Sequence, residues 1–194
     1  MRKVFLLVIC CLLFATPTLA AQGPYVGAAA GGTWLDDDAA DGGYNVMIQL
    51  GRNYLPNLRF EGEFAYRENS LGANAADGTA IDGDIGTFSV MFNGFYDFPQ
   101  LASLQPFVGI GIGGANVDYD AKALGSSLAD SNDTVLAYQG ILGVAYPLSK
   151  WLKLDLSYRY FRTQDAKLRD INDEPFDVQY ETHNVSIGLR YDFY

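Results

Sequence analysis

Beyond Cys11 the chain has no cysteine. Disulfides and thiolate metal ligands are therefore closed to that region, whatever the redox state of its compartment. Basic residues are scarce as well. Thirteen Lys and Arg stand against 23 Asp and Glu, and loss of Arg2 and Lys3 with an N-terminal leader leaves 11 against 23, a formal charge of −12. Such a balance argues against nucleic acid as a partner. Also missing, past the N-terminal segment, is any apolar run of the roughly 18 residues that a membrane-spanning helix needs. If this chain crosses a membrane it must do so as a closed barrel, because a spanning chain has to satisfy every backbone polar group within the protein.

What the sequence does contain begins with a leader. Met1-Arg2-Lys3 is followed by an apolar stretch from Val4 to Phe14 and by Pro17-Thr18-Leu19-Ala20 before Ala21. A cationic start, a short apolar core and small residues at the cut describe a secretory signal peptide. Residues 1–20 are expected to be removed, leaving residues 21–194 as one domain. Cys10 and Cys11 fall within the leader, without the small preceding residue of a lipidation site.

The rest is organised as strands with a period of two. At the C-terminus Val185, Ile187, Leu189, Tyr191 and Phe193 share one face while Asn184, Ser186, Gly188, Arg190 and Asp192 share the other. About 9–11 residues of tilted strand cross a bilayer, and this segment is long enough. Similar alternation runs through Tyr44 to Leu50, Leu58 to Tyr66, Phe88 to Phe98, Leu136 to Tyr146 and Trp151 to Phe161. Pro24 to Leu35 reads as a glycine- and alanine-rich first strand. Phe107 to Gly113 sets Val108, Ile110 and Ile112 against a glycine face. Eight strands result. The segments 69–84, 119–133 and 164–179 lack a period and read as loops.

Connection lengths alternate. Aspartate-rich loops follow the odd strands, and brief turns holding Pro56, Pro99 and Pro147 follow the even ones. An even strand number with alternating long and short connections predicts an eight-stranded antiparallel up-and-down transmembrane β-barrel, its long loops outside and its short turns toward the periplasm. Aromatics gather at two levels: Tyr54, Phe60, Phe98, Tyr146, Trp151 and Phe193 near the short turns, and Trp34, Tyr44, Tyr66, Phe88, Tyr138 and Tyr160 near the long loops. Amphipathic rings favour both membrane interfaces, so two belts are expected. Strands four and eight both finish Tyr-Asp-Phe, at residues 96–98 and 191–193.

Alternation by itself does not say which face is inside. The polar faces carry Arg59, Arg67, Lys153, Arg159 and Arg190 against Glu61, Glu63, Asp97, Asp155 and Asp192, a neutral set. A narrow lumen needs that neutrality, because an unpaired buried ion costs several kcal/mol. A packed polar lumen is therefore expected, with Gly109, Gly111 and Gly113 giving arginine and glutamate side chains room to lie across it. Asp97 and Asp192 are also candidates for the rim.

The opening Pro24-Tyr25-Val26-Gly27, the run Pro106 to Gly113, Leu156-Ser157-Tyr158-Arg159-Tyr160 and Ile187 to Phe193 together resemble the small outer-membrane β-barrel family that includes opacity-type proteins and transmembrane barrels like OmpA and OmpX. The resemblance covers essentially the whole chain after the leader. It implies a monomer in the bacterial outer membrane, surrounded by lipid and lipopolysaccharide, delivered by periplasmic chaperones and the barrel-assembly machinery. Leu189, Tyr191, Phe193 and Tyr194 correspond to that machinery's C-terminal signal, with Tyr194 an extra residue after the usual final aromatic. No OmpA-like peptidoglycan-binding domain is expected. Members of such families act as adhesins, immune-evasion factors, envelope braces or minor pores.

Three functions remain in view. The first is a non-enzymatic barrel acting through its outer loops or in envelope integrity, without cofactor. The second is a narrow porin or an OmpW-like conduit, which needs a gap in the lumen or a lateral opening. The third, a lipid A-modifying enzyme, would ask by resemblance for a lipid-facing His-x-Ser pair. The only histidine, His183, has its nearest serine at Ser186, three residues on and hence on the opposite face. The acidic residues Asp36, Asp37, Asp38, Asp82 and Asp84 are weak candidates for a divalent cation, which takes oxygen ligands. Solvated loop charge is their expected role.

Overall fold

The computed structural model describes residues 23–35, 40–74, 80–123, 126–164, 166–169, 175–178 and 180–193. Eight long strands form the wall: β1 (Pro24–Leu35), β2 (Ala40–Leu55), β3 (Leu58–Asn74), β4 (Ala80–Asp97), β5 (Gln105–Ala123), β6 (Ser126–Pro147), β7 (Leu152–Thr163) and β10 (Glu181–Asp192). Two short strands, β8 (Ala166–Arg169) and β9 (Pro175–Val178), pair as a hairpin between β7 and β10. Around the wall the order is β1-β10-β7-β6-β5-β4-β3-β2, every neighbour antiparallel, and β1 closes on β10 from Tyr25 opposite Asp192 to Leu35 opposite Thr182. Closure leaves no strand edge unpaired, the condition for a sheet to sit in hydrocarbon. No helix among the described residues is long and apolar enough to cross a membrane, which says nothing about crossing by strands.

The faces settle which side is the core. Ile48, Ile110 and Ile187 are 57%, 77% and 56% exposed, whereas Arg67 and Glu63 are wholly buried. A soluble barrel has the reverse arrangement. An apolar outer band around a charged interior is the pattern of a membrane-spanning barrel. Both aromatic groups face outward.

The three short connections are tight. Leu55 pairs with Leu58 across Pro56-Asn57. Leu101 and Leu104 exchange backbone hydrogen bonds around Ala102, whose φ is +56°. Between β6 and β7, the Ser149 hydroxyl accepts from the backbone N–H groups of Trp151 and Leu152.

At the other end the strands run further than the periodicity indicates. β3 and β4 stay paired out to Asn74 and Ala80, and β5 and β6 pair from Ala123 opposite Ser126 inward. These extensions fall in the segments read as loops. Once a ladder leaves lipid, its outer face no longer has to be apolar, so pairing continues while the two-residue period disappears.

Candidate functional site

The lumen is where the charged side chains converge, and β3 serves as its axis. From the short-turn end, Arg59, Glu61, Glu63, Arg67 and Asn69 all point inward, being odd-numbered positions on one strand. Together they run through three layers.

The first layer surrounds Arg59. Its Nε donates to Asp97 Oδ1 at 3.1 Å and its Nη1 to the Tyr25 hydroxyl at 3.0 Å, while Tyr25 donates to Glu61 Oε2 at 2.9 Å. The guanidinium carbon lies 3.7 Å from the Phe95 ring centroid and 4.9 Å from that of Phe107, so it rests in the corner between two rings as well as beside carboxylates. Phe95, Phe107, Ile141 and Ala145 form an apolar cluster there.

The second layer is centred on Glu63. Arg159 Nη1 donates to its Oε2, Gln139 Nε2 donates to Oε1 at 3.3 Å, and Arg67 Nη2 lies 3.7 Å from Oε1. Asn93 joins the two glutamates, its Nδ2 donating to Glu61 Oε1 at 3.2 Å and Glu63 Oε2 at 3.1 Å; its Oδ1 accepts from Gln139 at 2.8 Å. A cavity of about 20 Å³, lined in part by Gln49, Arg59, Glu61, Ser157 and Arg159, has room for a single water.

The third layer is apolar. Arg67 lies with its guanidinium carbon 4.1 Å from the Phe161 ring centroid and donates to Ser89 Oγ at 2.8 Å. Beyond it Ile85, Met91, Val117, Ala137, Phe161 and Tyr180 pack together, Tyr180 donating to Asn69 Oδ1 at 2.8 Å. The lumen is therefore layered, with an apolar section at its long-loop end, where alternation suggests a polar interior throughout. The sequence held one sign of it, since Met91 and Phe161 share parity with polar inward neighbours.

Two further pairs sit at the short-turn mouth. Arg190 bonds Asp155 at 3.3 Å, and Lys153 lies 3.1 Å from Asp192, which also accepts from Asn53 at 3.1 Å. Asp97 and Asp192 both turn inward and are buried, Asp97 beside buried Arg59 and Asp192 beside half-buried Lys153. The repeated Tyr-Asp-Phe is thus one local structure used twice. In each copy the Asp faces the lumen, and the flanking rings form an outward edge-to-face pair with centroids 5.0 Å apart, Tyr96 with Phe98 and Tyr191 with Phe193.

The glycines of β5 make room, though for different occupants. A Cβ on Gly109 would stand 2.5 Å from Phe95 Cδ1, and one on Gly111 would collide with Asn93 Oδ1. It is β4, not the arginines and glutamates, that fills the space.

Of the acidic candidates, Asp36, Asp37 and Asp38 lie outside the described residues, as do the side chain of Asp82 and the whole of Tyr194. Asp84 is exposed on the outer surface and, with Tyr66, Glu68, Phe88, Asn116 and Asp118, lines a shallow hollow over Gly86. Among the described residues no three His, Cys, Asp or Glu side chains converge as a metal site. His183 faces outward with its Nδ1 2.6 Å from the Tyr158 hydroxyl, whereas Ser186 faces inward and donates to Asn45 Oδ1 at 2.7 Å. They cannot act on one substrate.

Residues 6–193 match the family described as outer membrane protein beta-barrel domain. The chain belongs to that family. Among its relatives, an uncharacterized protein of Brucella abortus is 30% identical over 159 residues, covering 66% of this chain and 56% of that protein. A Rickettsia typhi protein named a putative adhesin is 29% identical over 111 residues, covering 53% and 49%. The chain thus spans about half the length of these relatives. Among solved structures, Neisserial surface protein A superposes with a TM-score of 0.63 at 21% identity, covering 90% of this chain and all of that one. OprG of Pseudomonas aeruginosa gives 0.60 at 14% identity, covering 90% and 97%. These likenesses show the fold, a small closed outer-membrane barrel.

Proposed function

We propose that this outer-membrane barrel is a non-enzymatic scaffold that makes adhesion-type contacts at the cell surface through its long loops. The observation that carries the reading is the filled lumen around Glu63, where buried side chains from β3, β4, β6 and β7 bond to one another across the interior. A barrel closed in this way offers its loops, not its interior, to a partner. The likeness to a Rickettsia protein named a putative adhesin supports the same reading.

The chemistry of the loops narrows the partner. The inward-facing charges balance, so the acid surplus of the mature chain lies outside the lumen and concentrates in the long loops. Contact with a basic surface is favoured, and it weakens as salt rises. Residues 1–20 act as a cleaved leader in this account, lipopolysaccharide surrounds the outer half of the wall, and Leu189, Tyr191 and Phe193 present the outward aromatic signal to the assembly machinery.

The test pairs two measurements. Cells displaying the barrel are scored for adherence to host-cell monolayers, with the four long loops replaced one at a time by short Gly-Ser turns. Purified barrel is examined in parallel for single-channel conductance. Adherence lost with a loop while the native barrel stays electrically silent supports the scaffold. Steady conductance from the native barrel overturns it in favour of a narrow porin or conduit.

A further inference from the structure

Tyr180 belongs to neither β9 nor β10, yet its side chain is wholly buried inside the wall. Two backbone-level contacts hold it at the foot of the last long loop. The Thr163 N–H donates to the Tyr180 carbonyl at 2.9 Å, and the Tyr180 N–H donates to Thr163 Oγ1 at 3.2 Å. The β7–β10 ladder proper starts one residue later, with Glu181 opposite Arg162. Tyr180 can therefore leave its seat without unpairing the wall.

Its seat is the apolar layer. The ring meets Phe161 edge-on with centroids 6.1 Å apart, and the hydroxyl reaches across the lumen to Asn69 on β3. Asn69 lies six residues beyond Glu63 on the same strand, about 20 Å along it at the usual rise. The two closures thus differ in level and in chemistry. Around Glu63 the lumen is shut by ions holding one another, and loss of one partner leaves a buried charge that recruits water. Under Tyr180 it is shut mainly by apolar side chains, with the hydrogen-bonded Asn69 and Thr163 beside them, and a largely apolar section resists the entry of water and ions.

We propose that Tyr180 is a removable stopper in the outer mouth, and that beyond the Arg59 layer the lumen is closed by two seals in series, a largely apolar one under Tyr180 and an ionic one around Glu63. A partner that displaces the loop return into β10 opens the first seal and leaves the second shut. This goes beyond the surface-contact reading and does not depend on it.

Absence of cysteine beyond Cys11 makes a clean test possible. Ala137, buried in the apolar layer, is replaced by Cys in the full barrel, and the introduced thiol is challenged with a charged, water-soluble methanethiosulfonate. With Tyr180 present it is protected. Tyr180→Ala raises the labelling rate on the order of 100-fold, while Tyr180→Phe, which keeps the ring, leaves it protected. Ala115→Cys and Tyr180→Ser serve as the second pair should the first not assemble. Equal rates with and without Tyr180, or a Phe variant as reactive as the Ala variant, would overturn the stopper. Conductance tests the series arrangement in a barrel whose first layer is opened by Arg59→Ala: adding Tyr180→Ala or Glu63→Ala alone leaves it silent, and adding both makes it conduct. Either addition alone conducting as well as both, or silence with both, overturns it.

Discussion

Glu63 and Arg159 meet across the lumen although 96 residues separate them and their strands are not neighbours in the wall. Both are buried, so the pair sits where water cannot screen it. Arg159→Ala leaves Glu63 with Arg67 alone among its cations, and the cost is expected at about 3–5 kcal/mol, the usual result of breaking a buried pair from one side. Glu63→Gln keeps the shape and the bond from Gln139 but strips charge from two arginines at once. It should cost as much or more. Urea titration of barrel refolded in lipid vesicles, read by tryptophan fluorescence, gives both values; losses below about 1 kcal/mol would mean that water already enters this layer.

The two copies of Tyr-Asp-Phe allow a comparison within one molecule. Asp97 holds Arg59, buried against two rings, whereas Asp192 holds Lys153, whose side chain is 23% exposed. Removing an acid leaves its cation behind, and only a buried cation suffers fully for it. Asp97→Ala should therefore destabilise more than Asp192→Ala, by at least about 1 kcal/mol. The same urea titration ranks them, and equal losses would show that Arg59 finds water or Glu61 instead.

How much of this was readable beforehand depends on what dictated each residue. Ile187 and Leu189 face lipid and Arg190 cannot, so the alternation of β10 carries its own answer. The neutrality of the inward charges follows from the same constraint. Which arginine meets which glutamate does not, because Glu63 and Arg159 are brought together by barrel tilt and stagger, which no single strand encodes. Gly111 was legible as a space-maker, but its occupant, Asn93, is set by cross-strand register. Tyr180 was hidden for another reason: it lies at the edge of a segment with no period, and its burial comes from contacts with Phe161 and Asn69 on distant strands.

That reading of Gly111 can be tested directly. A methyl group there would strike Asn93 Oδ1, the atom that accepts from Gln139. Asn93 must then shift, disturbing its bonds to Glu61 and Glu63. Gly111→Ala should cost about 1–3 kcal/mol, as overpacking does in a filled interior. Gly140, on the outward face with nothing within 4 Å of a new Cβ, is the control, and Gly140→Ala should be near neutral. Equal effects at the two sites would point to strand propensity and not to packing.

Ala102 lies in the opposite situation, a position where a Cβ is present and the backbone does not favour one. Its φ of +56° puts it in the left-handed region, in the turn where Leu101 and Leu104 exchange hydrogen bonds. A non-glycine residue there carries roughly 1–2 kcal/mol of local strain. Ala102→Gly relieves that strain but adds freedom to the unfolded chain, which takes back about 0.4–1 kcal/mol. The net expectation is a gain of about 0.5–1 kcal/mol, since the turn's two backbone bonds are kept. Ala102→Val should lose more than the glycine variant gains, because a β-branched side chain tolerates this region least. If the glycine variant is the less stable, the turn draws its stability from the Ala102 methyl itself, and strain is not what governs this end of the barrel.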